Sequence, residues 1–492
     1  MYGEEKLNNH YILRYTLTKE FFETFHSLKY HGIELTLPIV RQFHIYIKRF
    51  VNANRSNQQY VKRLQKKHKL YTMKDAQRAL ARIPRRVKNL SNQTQRKTIL
   101  LPGRFVSFAL KQFPSANIVF LVSTKEDEKA LQSVVIPSNM KVFNYHASLN
   151  KKAIPKSVTQ SIVRKANRLL NKQKRHRVFG KKTFRNWFRK LIKKSIKIIA
   201  TLEELLLNNP IKIIVDHVEI INPGTTLSLL ARRFNLPFVN MPQVLIGDRS
   251  LIPTRATYYF VWGKLYKEWL IKRGIHPSRI KETGNINFEY QKNNQTMAKQ
   301  RVCQLMRIPS NHLIITYTTQ PFSKSVNQQI TNWFTRAVHS SLPLTIVIRP
   351  HPYDKLDYSR LFQGKPNIVV APKTLKLYDL LYNSDIVATI SSNTGVEGAL
   401  LGKALFILQP KIPYHYEHHN NNFNAHLANA KAGPAIYNQR QLASYLSKVI
   451  ASPTYRDVLR RQSQRFITQT LNPTSTPSVH IRQLMTILVR KR

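Results

Sequence analysis

Three short polar stretches each follow an apolar run and carry groups that bind anions or move protons. Thr318-Thr319-Gln320 follows the run His312–Tyr317, and Arg349-Pro350-His351 follows Leu344–Ile348. Ser391-Ser392-Asn393-Thr394-Gly395 follows Ile386–Ile390 and leads into small and apolar residues around Glu397. An apolar run, a small polar turn and a helix form the strand–turn–helix unit of an α/β sheet, whose ligands bind outside the carboxyl ends of the strands. Free amides and the helix dipole at such a turn favour a phosphate. The hydroxyls of Ser391, Ser392 and Thr394 and the amides around Gly395 suit phosphate oxygens, and Arg349 and His351 add cationic or hydrogen-bonding groups. Taken singly, a Ser/Thr cluster is ordinary turn chemistry and a histidine between two prolines a rigid corner. Their recurrence at three strand ends is what points to a site. A fourth cluster, Asp216, His217 and Glu219, follows Ile211–Val215; a carboxylate beside a histidine is either an acid/base pair or a helix cap with a satisfied imidazole.

Positioning these groups requires two sheets. Thr98–Leu101, Ile118–Val122 and Lys141–Tyr145 read as strands separated by helical stretches, and Ile211–Val215 and Leu236–Met241 continue the alternation, so a parallel, doubly wound sheet is expected. Gly103-Arg104 falls in its first strand-to-helix turn, where Arg104 either meets an anion or is solvated. A second such half is expected from about residue 251, opened by the strand Tyr258–Trp262. The boundaries are then 1–95 for a helical, basic N-terminal region and 96–250 for the first Rossmann-like domain, with a basic helical insertion over 151–207. The second domain follows over 251–445, and closing helices over 446–492.

Charge is the outlying property of the composition: 80 Lys+Arg against 24 Asp+Glu give +56 over 492 residues. Such a field seeks an anionic partner, whether nucleic acid, a membrane surface or a phosphorylated substrate. The tract Lys151–Lys197 sets Phe179, Phe184, Trp187 and Phe188 among its cations, and Phe184–Ile196 reads as an amphipathic helix. Cations with interleaved aromatics suit nucleic acid or a membrane interface; the plain alternative is a solvated insertion. Phe21, Phe22, Phe25 and Leu28 recur at helical spacing and favour packing of the N-terminal region over a partner surface. The single Cys303 excludes an internal disulfide and a cysteine-based zinc site. No signal-peptide pattern opens the chain and no run reaches the length of a membrane span, so a location in the cytoplasm is expected.

The segments Val347–Asp354 (VIRPHPYD), Leu377–Leu408 and Tyr258–Asn285 resemble the GT-B glycosyltransferase superfamily, in particular bacterial capsule polysaccharide transferases and CDP-glycerol glycerophosphotransferases. The likeness covers about Thr257–Pro410 well and Thr98–Val244 in outline. Asn393 and Ala404 depart from it, where another small hydroxyl residue and a proline are usual. The resemblance implies two Rossmann-like domains facing a cleft and a transferase without a metal or cofactor. A sugar or glycerol-phosphate unit would pass from a nucleotide-sugar or CDP-glycerol-like donor to a polysaccharide, teichoic-acid-like or lipid-linked acceptor. It places the donor's diphosphate on His351 and Arg349 and on Ser391, Ser392, Thr394 and Gly395, with Thr318–Gln320 beside them, and its ribose on Glu397. The base would come from Asp216, His217 or Glu219. The basic tract would hold the enzyme at the inner face of the cell membrane. A nucleotide-sugar epimerase and a nucleic-acid-binding protein on the same scaffold are the alternatives.

Overall fold

The computed structural model describes residues 5–87, 90, 96–245, 247–292, 296–412, 425–471 and 476–490. The chain forms two compact units. The first holds residues 5–261, 270–283 and 476–490, and the second residues 262–269 and 284–471.

In the first unit, seven strands form one parallel sheet: β1 (Thr98–Pro102), β2 (Ile118–Val122), β3 (Met140–Asn144), β4 (Ile211–Asp216), β5 (Phe238–Asn240), β6 (Tyr258–Val261) and β7 (Ile280–Glu282). Their order is β3-β2-β1-β4-β5-β6-β7, so the chain starts centrally, winds one way, then reverses at β1/β4. Every residue of β1, β2 and β4 is buried, as expected of strands covered on both faces, which read as unbroken apolar runs. The strand expected to open the second half, Tyr258–Val261, instead pairs in parallel with β5 and carries β7 on its far edge. An aromatic apolar run states that a strand exists but not which sheet receives it.

The N-terminal region is helical, with α1 (Asn9–Thr24) and α2 (Val40–Asn54) among its helices. The basic tract forms α3 (Lys156–Lys172) and α4 (Lys182–Asn208). Three of its four named aromatic residues are not presented to a ligand: Phe179, Phe184 and Phe188 are fully buried against Phe21, Phe25 and Phe43, while Trp187 is half-buried and packs 4.7 Å from Tyr46 between ring centroids. Phe21 stacks on Phe43 at 4.1 Å between ring centroids, and Phe25 lies 4.4 Å from Phe188. The spacing Phe184, Phe188, Ile192, Ile196, Ile199 is the buried stripe of α4, while Lys190, Lys193 and Lys194 are exposed on its other side. The N-terminal helices and the basic tract thus share one aromatic core, and the cations are its solvated face.

The second unit has a six-stranded parallel sheet: β8 (Leu313–Thr318), β9 (Leu344–Arg349), β10 (Ile368–Val370), β11 (Ile386–Thr389), β12 (Ala404–Leu408) and β13 (Ala435–Ile436), in the order β10-β9-β8-β11-β12-β13. Here the winding reverses between β8 and β11. Helix α5 (Asn393–Leu400) joins β11 to β12. Gly398 lets α5 approach its own sheet, since a Cβ there would stand 2.9 Å from Val387 Cγ2. The closing helices Gln439–Ala451 and Pro453–Thr470 follow. Two parallel, helix-flanked sheets of the same winding are the doubly wound α/β architecture expected.

The shared aromatic core has a measurable consequence. Phe188→Ala is expected to destabilise the protein by about 3–5 kcal/mol in chemical denaturation. Lys193→Ala, on the solvated face, should change stability by no more than about 0.5 kcal/mol. Comparable costs for the two would contradict a core role for these rings.

Candidate functional site

The reversal of winding between β8 and β11 leaves a crevice at their carboxyl ends, the place where open α/β sheets take their ligands. The two strands pair in parallel, Tyr317 opposite Ala388, so the turns after them lie side by side. Two contacts join these turns. Gln320 donates through Nε2 to Ser391 Oγ at 3.1 Å and accepts from the Ser391 amide through Oε1 at 2.9 Å. Thr318 Oγ1 lies 2.6 Å from Thr394 Oγ1, across the start of α5. Ser392 caps α5 by accepting from the Thr394 amide at 3.3 Å.

The end of β9 is tied in through Thr319. Its hydroxyl donates to Asp354 Oδ2 at 2.7 Å and accepts from the His351 amide at 2.9 Å. Asp354 Oδ2 also receives Asn327 Nδ2 at 3.0 Å and the Tyr358 hydroxyl at 2.7 Å. His351 Nδ1 accepts from the Tyr353 amide at 3.1 Å, which assigns the ring proton to Nε2. Burial lowers the pKa of His351, with Asp354 opposing, so at neutral pH the ring is an uncharged Nε2–H donor.

These contacts divide the expected residues into two kinds. Thr318, Thr319, Gln320 and Ser391 are buried and engaged with one another or with Asp354, which makes them the frame. Ser392, Thr394, His351 and Glu397 are half-buried and keep surface for a ligand. Gly395 has a packing reason of its own: a Cβ there would come 3.0 Å from Thr389 and Leu427. Arg349 stands apart. Its guanidinium donates to Pro372 O at 2.9 Å, after β10 and on the side of β9 away from β11.

Glu397 carries an electrostatic signal of its own. It lies in the second turn of α5, and the Tyr378 hydroxyl donates to its Oε1 at 3.0 Å. Burial pushes its carboxyl up to about 7, against the stabilising hydrogen bond from Tyr378. Some of the side chain stays accessible, yet the apolar packing of α5 desolvates the carboxylate, so the upward direction stands. Sequence reasoning missed Asp354, Asn327 and Tyr378. Asp354 and Tyr378 lie inside the segments that carry the family resemblance, but only the fold shows that they hold Thr319 and Glu397.

In the first unit, Asp216 ends β4 at that sheet's own reversal of winding. Its Oδ1 accepts from the amides of His217 at 2.7 Å and Val218 at 3.3 Å. His217 Nδ1 is 3.1 Å from the same oxygen, but outside hydrogen-bonding alignment. Glu219 is spent on structure: 1% exposed, it binds the Arg255 and Ala256 amides and the Thr254 hydroxyl. Burial raises its pKa, and it holds the loop before β6 rather than facing solvent. Arg104 is committed as well, donating to Asp127 Oδ1 at 3.1 Å and to Thr124 Oγ1 at 2.9 Å. Cys303 is buried and burial raises its thiol pKa, which leaves it unreactive. Among the described residues no cluster of three metal-ligating side chains occurs, and no helix is long and apolar enough to cross a membrane.

No protein-family model matches this chain, and no curated protein matches it in sequence. Solved structures are similar in arrangement. UDP-GlcNAc 2-epimerase from Neisseria meningitidis, bound to UDP-GlcNAc, is 14% identical with a TM-score of 0.47, over 80% of this chain and 99% of that one. The wall teichoic acid polymerase TagF, in a variant soaked with CDPG, is 11% identical with a TM-score of 0.46, over 85% and 93%. The calicheamicin glycosyltransferase CalG4 is 12% identical with a TM-score of 0.46, over 81% and 99%. Likenesses this distant say nothing of this chain's substrate or reaction, which rest on its own residues.

The Glu397 shift makes a signed prediction. A carboxyl raised from about 4.5 to about 7 keeps a proton in the folded state that the unfolded chain has lost. Its contribution to stability therefore falls as pH rises through that window and stays low above it. Glu397→Gln removes this dependence, so the melting temperature of the variant relative to the native protein should rise from about pH 5 to about pH 8. A difference that does not change with pH would remove the buried, raised carboxyl from the account.

Proposed function

We propose that the crevice at the ends of β8, β9 and β11 binds a nucleoside diphosphate, and that the protein is a GT-B-type transferase acting on a nucleotide-activated sugar or glycerol-phosphate donor. The observation that carries this reading is the framed start of α5. The Gln320–Ser391 pair and the Thr318–Thr394 contact fix a turn whose half-buried hydroxyls and helix amides suit phosphate oxygens. His351 adds an uncharged Nε2–H, and Glu397 accepts the ribose hydroxyls four residues into the helix. As the bond to the leaving phosphate breaks, these preorganised donors and the dipole of α5 stabilise the growing charge.

His217, with Asp216 behind it, is proposed as the base that takes the acceptor's hydroxyl proton; Glu219, already saturated by backbone amides, is not. The acceptor is proposed to be a cell-surface polymer or its lipid-linked precursor. The exposed cations of α3 and α4 would then draw the protein to the anionic inner face of the membrane, each adding about 1 kcal/mol near such a surface. Burial of Phe179, Phe184 and Phe188 removes three of the four rings on which a nucleic acid would stack or a membrane interface would close, leaving the half-buried Trp187 and the electrostatic part of those readings.

Two variants separate the roles. His351→Ala should weaken nucleoside diphosphate binding in calorimetry by about tenfold or more, as expected for loss of a hydrogen bond to a charged group. His217→Ala should leave that affinity unchanged and lower turnover about a hundredfold or more. Unchanged donor affinity in His351→Ala would contradict the donor assignment. Product analysis with a nucleotide sugar alone distinguishes an epimerase, which converts it without an acceptor, from a transferase, which does not.

A further inference from the structure

A helix and a sheet edge of the first unit enclose a cavity that is apolar on one side and cationic on the other. Helix Pro477–Arg490 packs against β4 and the helix Val106–Gln112. Its Leu484, with Ile487 and Leu488 three and four residues on, forms one side of the helix and lines a cavity of about 540 Å³. Opposite stands the edge of the sheet. Phe260 of β6 is in register with Lys281 of β7, and Tyr258, two residues before Phe260, shares its face. Arg279, just ahead of β7, and Arg232 complete the cationic wall. A second cavity of about 320 Å³ adjoins the first through Arg232, Tyr258 and Leu488 and adds Arg86 and Lys212. Among the described residues no Asp or Glu lines either cavity.

Two of these cations meet on the loop before β6. Arg232 donates through Nε to Arg255 O at 2.7 Å and through Nη2 to Ala256 O at 3.1 Å. Arg279 donates through Nε to Thr257 O at 3.1 Å and through Nη2 to the same Ala256 O, and it lies 5.7 Å from the Tyr259 ring centroid. The carbonyls fix both guanidiniums in place without cancelling their charge. Burial lowers the pKa of Arg232 and the neighbouring Arg279 lowers it further, against the pull of Tyr259 and Glu219. That pull acts through space, since the Glu219 oxygens take the Thr254 hydroxyl and the Arg255 and Ala256 amides. Lys281 adds a third, half-buried cation from the edge strand. Like charges held this close are costly, and an anion between them removes the cost.

We propose that this cavity binds an anionic amphiphile, its phosphate-type oxyanion on Arg232, Arg279 and Lys281 and its apolar chain along Leu484, Ile487 and Leu488. Each guanidinium carries five N–H donors, of which the carbonyls take two, and charge-assisted bonds from the rest are among the stronger polar contacts. The apolar wall argues against a bare anion: Ile487 is 51% exposed, and an apolar chain removes that surface from water. A volume of about 540 Å³ falls within the range of ligand sites, about 300–1,000 Å³. The cavity lies at the amino ends of β6 and β7, the opposite end of this sheet from Asp216 and His217, so it depends on neither the donor nor the base assignment. The amphiphile has two sources, a dissolved molecule and a lipid of a membrane leaflet.

The test titrates octyl phosphate, below its micelle concentration, into the native protein by calorimetry at constant ionic strength, with inorganic phosphate as the control. Octyl phosphate should bind about tenfold or more tighter than inorganic phosphate, since burial of two CH₂ groups suffices for that factor. Arg279→Gln should weaken octyl phosphate about tenfold or more, and Lys281→Gln about fivefold or more. Ile487→Gln should weaken octyl phosphate about fivefold and leave inorganic phosphate unchanged, whereas His351→Ala retains this binding event. Lys281 and Ile487 are not buried, so the result stands even if Arg279→Gln fails to fold. A parallel arm measures co-sedimentation with vesicles of phosphatidylglycerol in phosphatidylcholine, at raised salt to screen the surface cations of α3 and α4. If octyl phosphate binds and the double variant Lys281→Gln/Ile487→Gln loses vesicle capture, the ligand is a membrane lipid; if capture is the same in the double variant, it is a dissolved amphiphile. No binding of octyl phosphate, or binding unchanged in either Lys281→Gln or Ile487→Gln, overturns the proposal.

Discussion

The pair of hydrogen bonds between Gln320 and Ser391 is the contact on which the second unit's site depends. It spans the point where the winding of the sheet reverses, and so joins turns that are 71 residues apart in the chain. A reversal of winding opens a crevice, but an open crevice between two mobile turns binds nothing well. The side-chain amide of Gln320 closes it twice, once to a hydroxyl and once to a backbone amide, and the Thr318–Thr394 contact adds a third tie. Preorganisation of this kind lets a few hydroxyls and amides hold a phosphate without paying again for their ordering on binding. The third strand end joins through a different currency, the Asp354 carboxylate, which gathers Thr319, Asn327 and Tyr358 and so sets the His351 backbone.

Electrostatics in the two units run in opposite directions. In the second, the notable group is an acid, Glu397, that burial makes reluctant to ionise. In the first, the notable groups are cations in excess, from the solvated faces of α3 and α4 to the buried Arg14. The net +56 therefore has two parts. Most of it is a surface property that acts through long-range attraction and is weakened by salt, while Arg14 is a buried part of it that donates to His44 Nδ1.

What was legible in the sequence follows from what each pattern encodes. Continuous apolar runs such as Ile118–Val122 and Ile386–Thr389 announce buried parallel strands, and the polar turns after them announce strand ends; both readings hold in the structure. Strand order is not written in such runs, which is why Tyr258–Val261 reads as the start of the second sheet and instead extends the first. Cations interleaved with aromatics in the basic tract fit a ligand-facing surface and a solvated insertion alike, because a helix with one buried and one solvated side has that same sequence pattern. The partner that decides between them, the cluster of Phe21, Phe25 and Phe43, lies more than a hundred residues away. Glu219 shows the same limit for chemistry: a carboxylate three residues from a strand end reads as a base until the fold brings the Thr254 hydroxyl and the Arg255 and Ala256 amides to it. The frame residues Asp354 and Tyr378 were hidden for a like reason, since their role is to hold other residues.

The claim at the centre is that the frame around α5 holds a nucleoside diphosphate. Thermal stabilisation of the native protein by CMP, CDP, UDP and GDP, each repeated with Gln320→Leu, tests it most directly. At about a hundred times its dissociation constant, the cognate nucleoside diphosphate should add roughly 2.7 kcal/mol of stability. The monophosphate should add less, and Gln320→Leu should lose most of the gain. Stabilisation by none of the four, or stabilisation that survives in Gln320→Leu, would contradict the account.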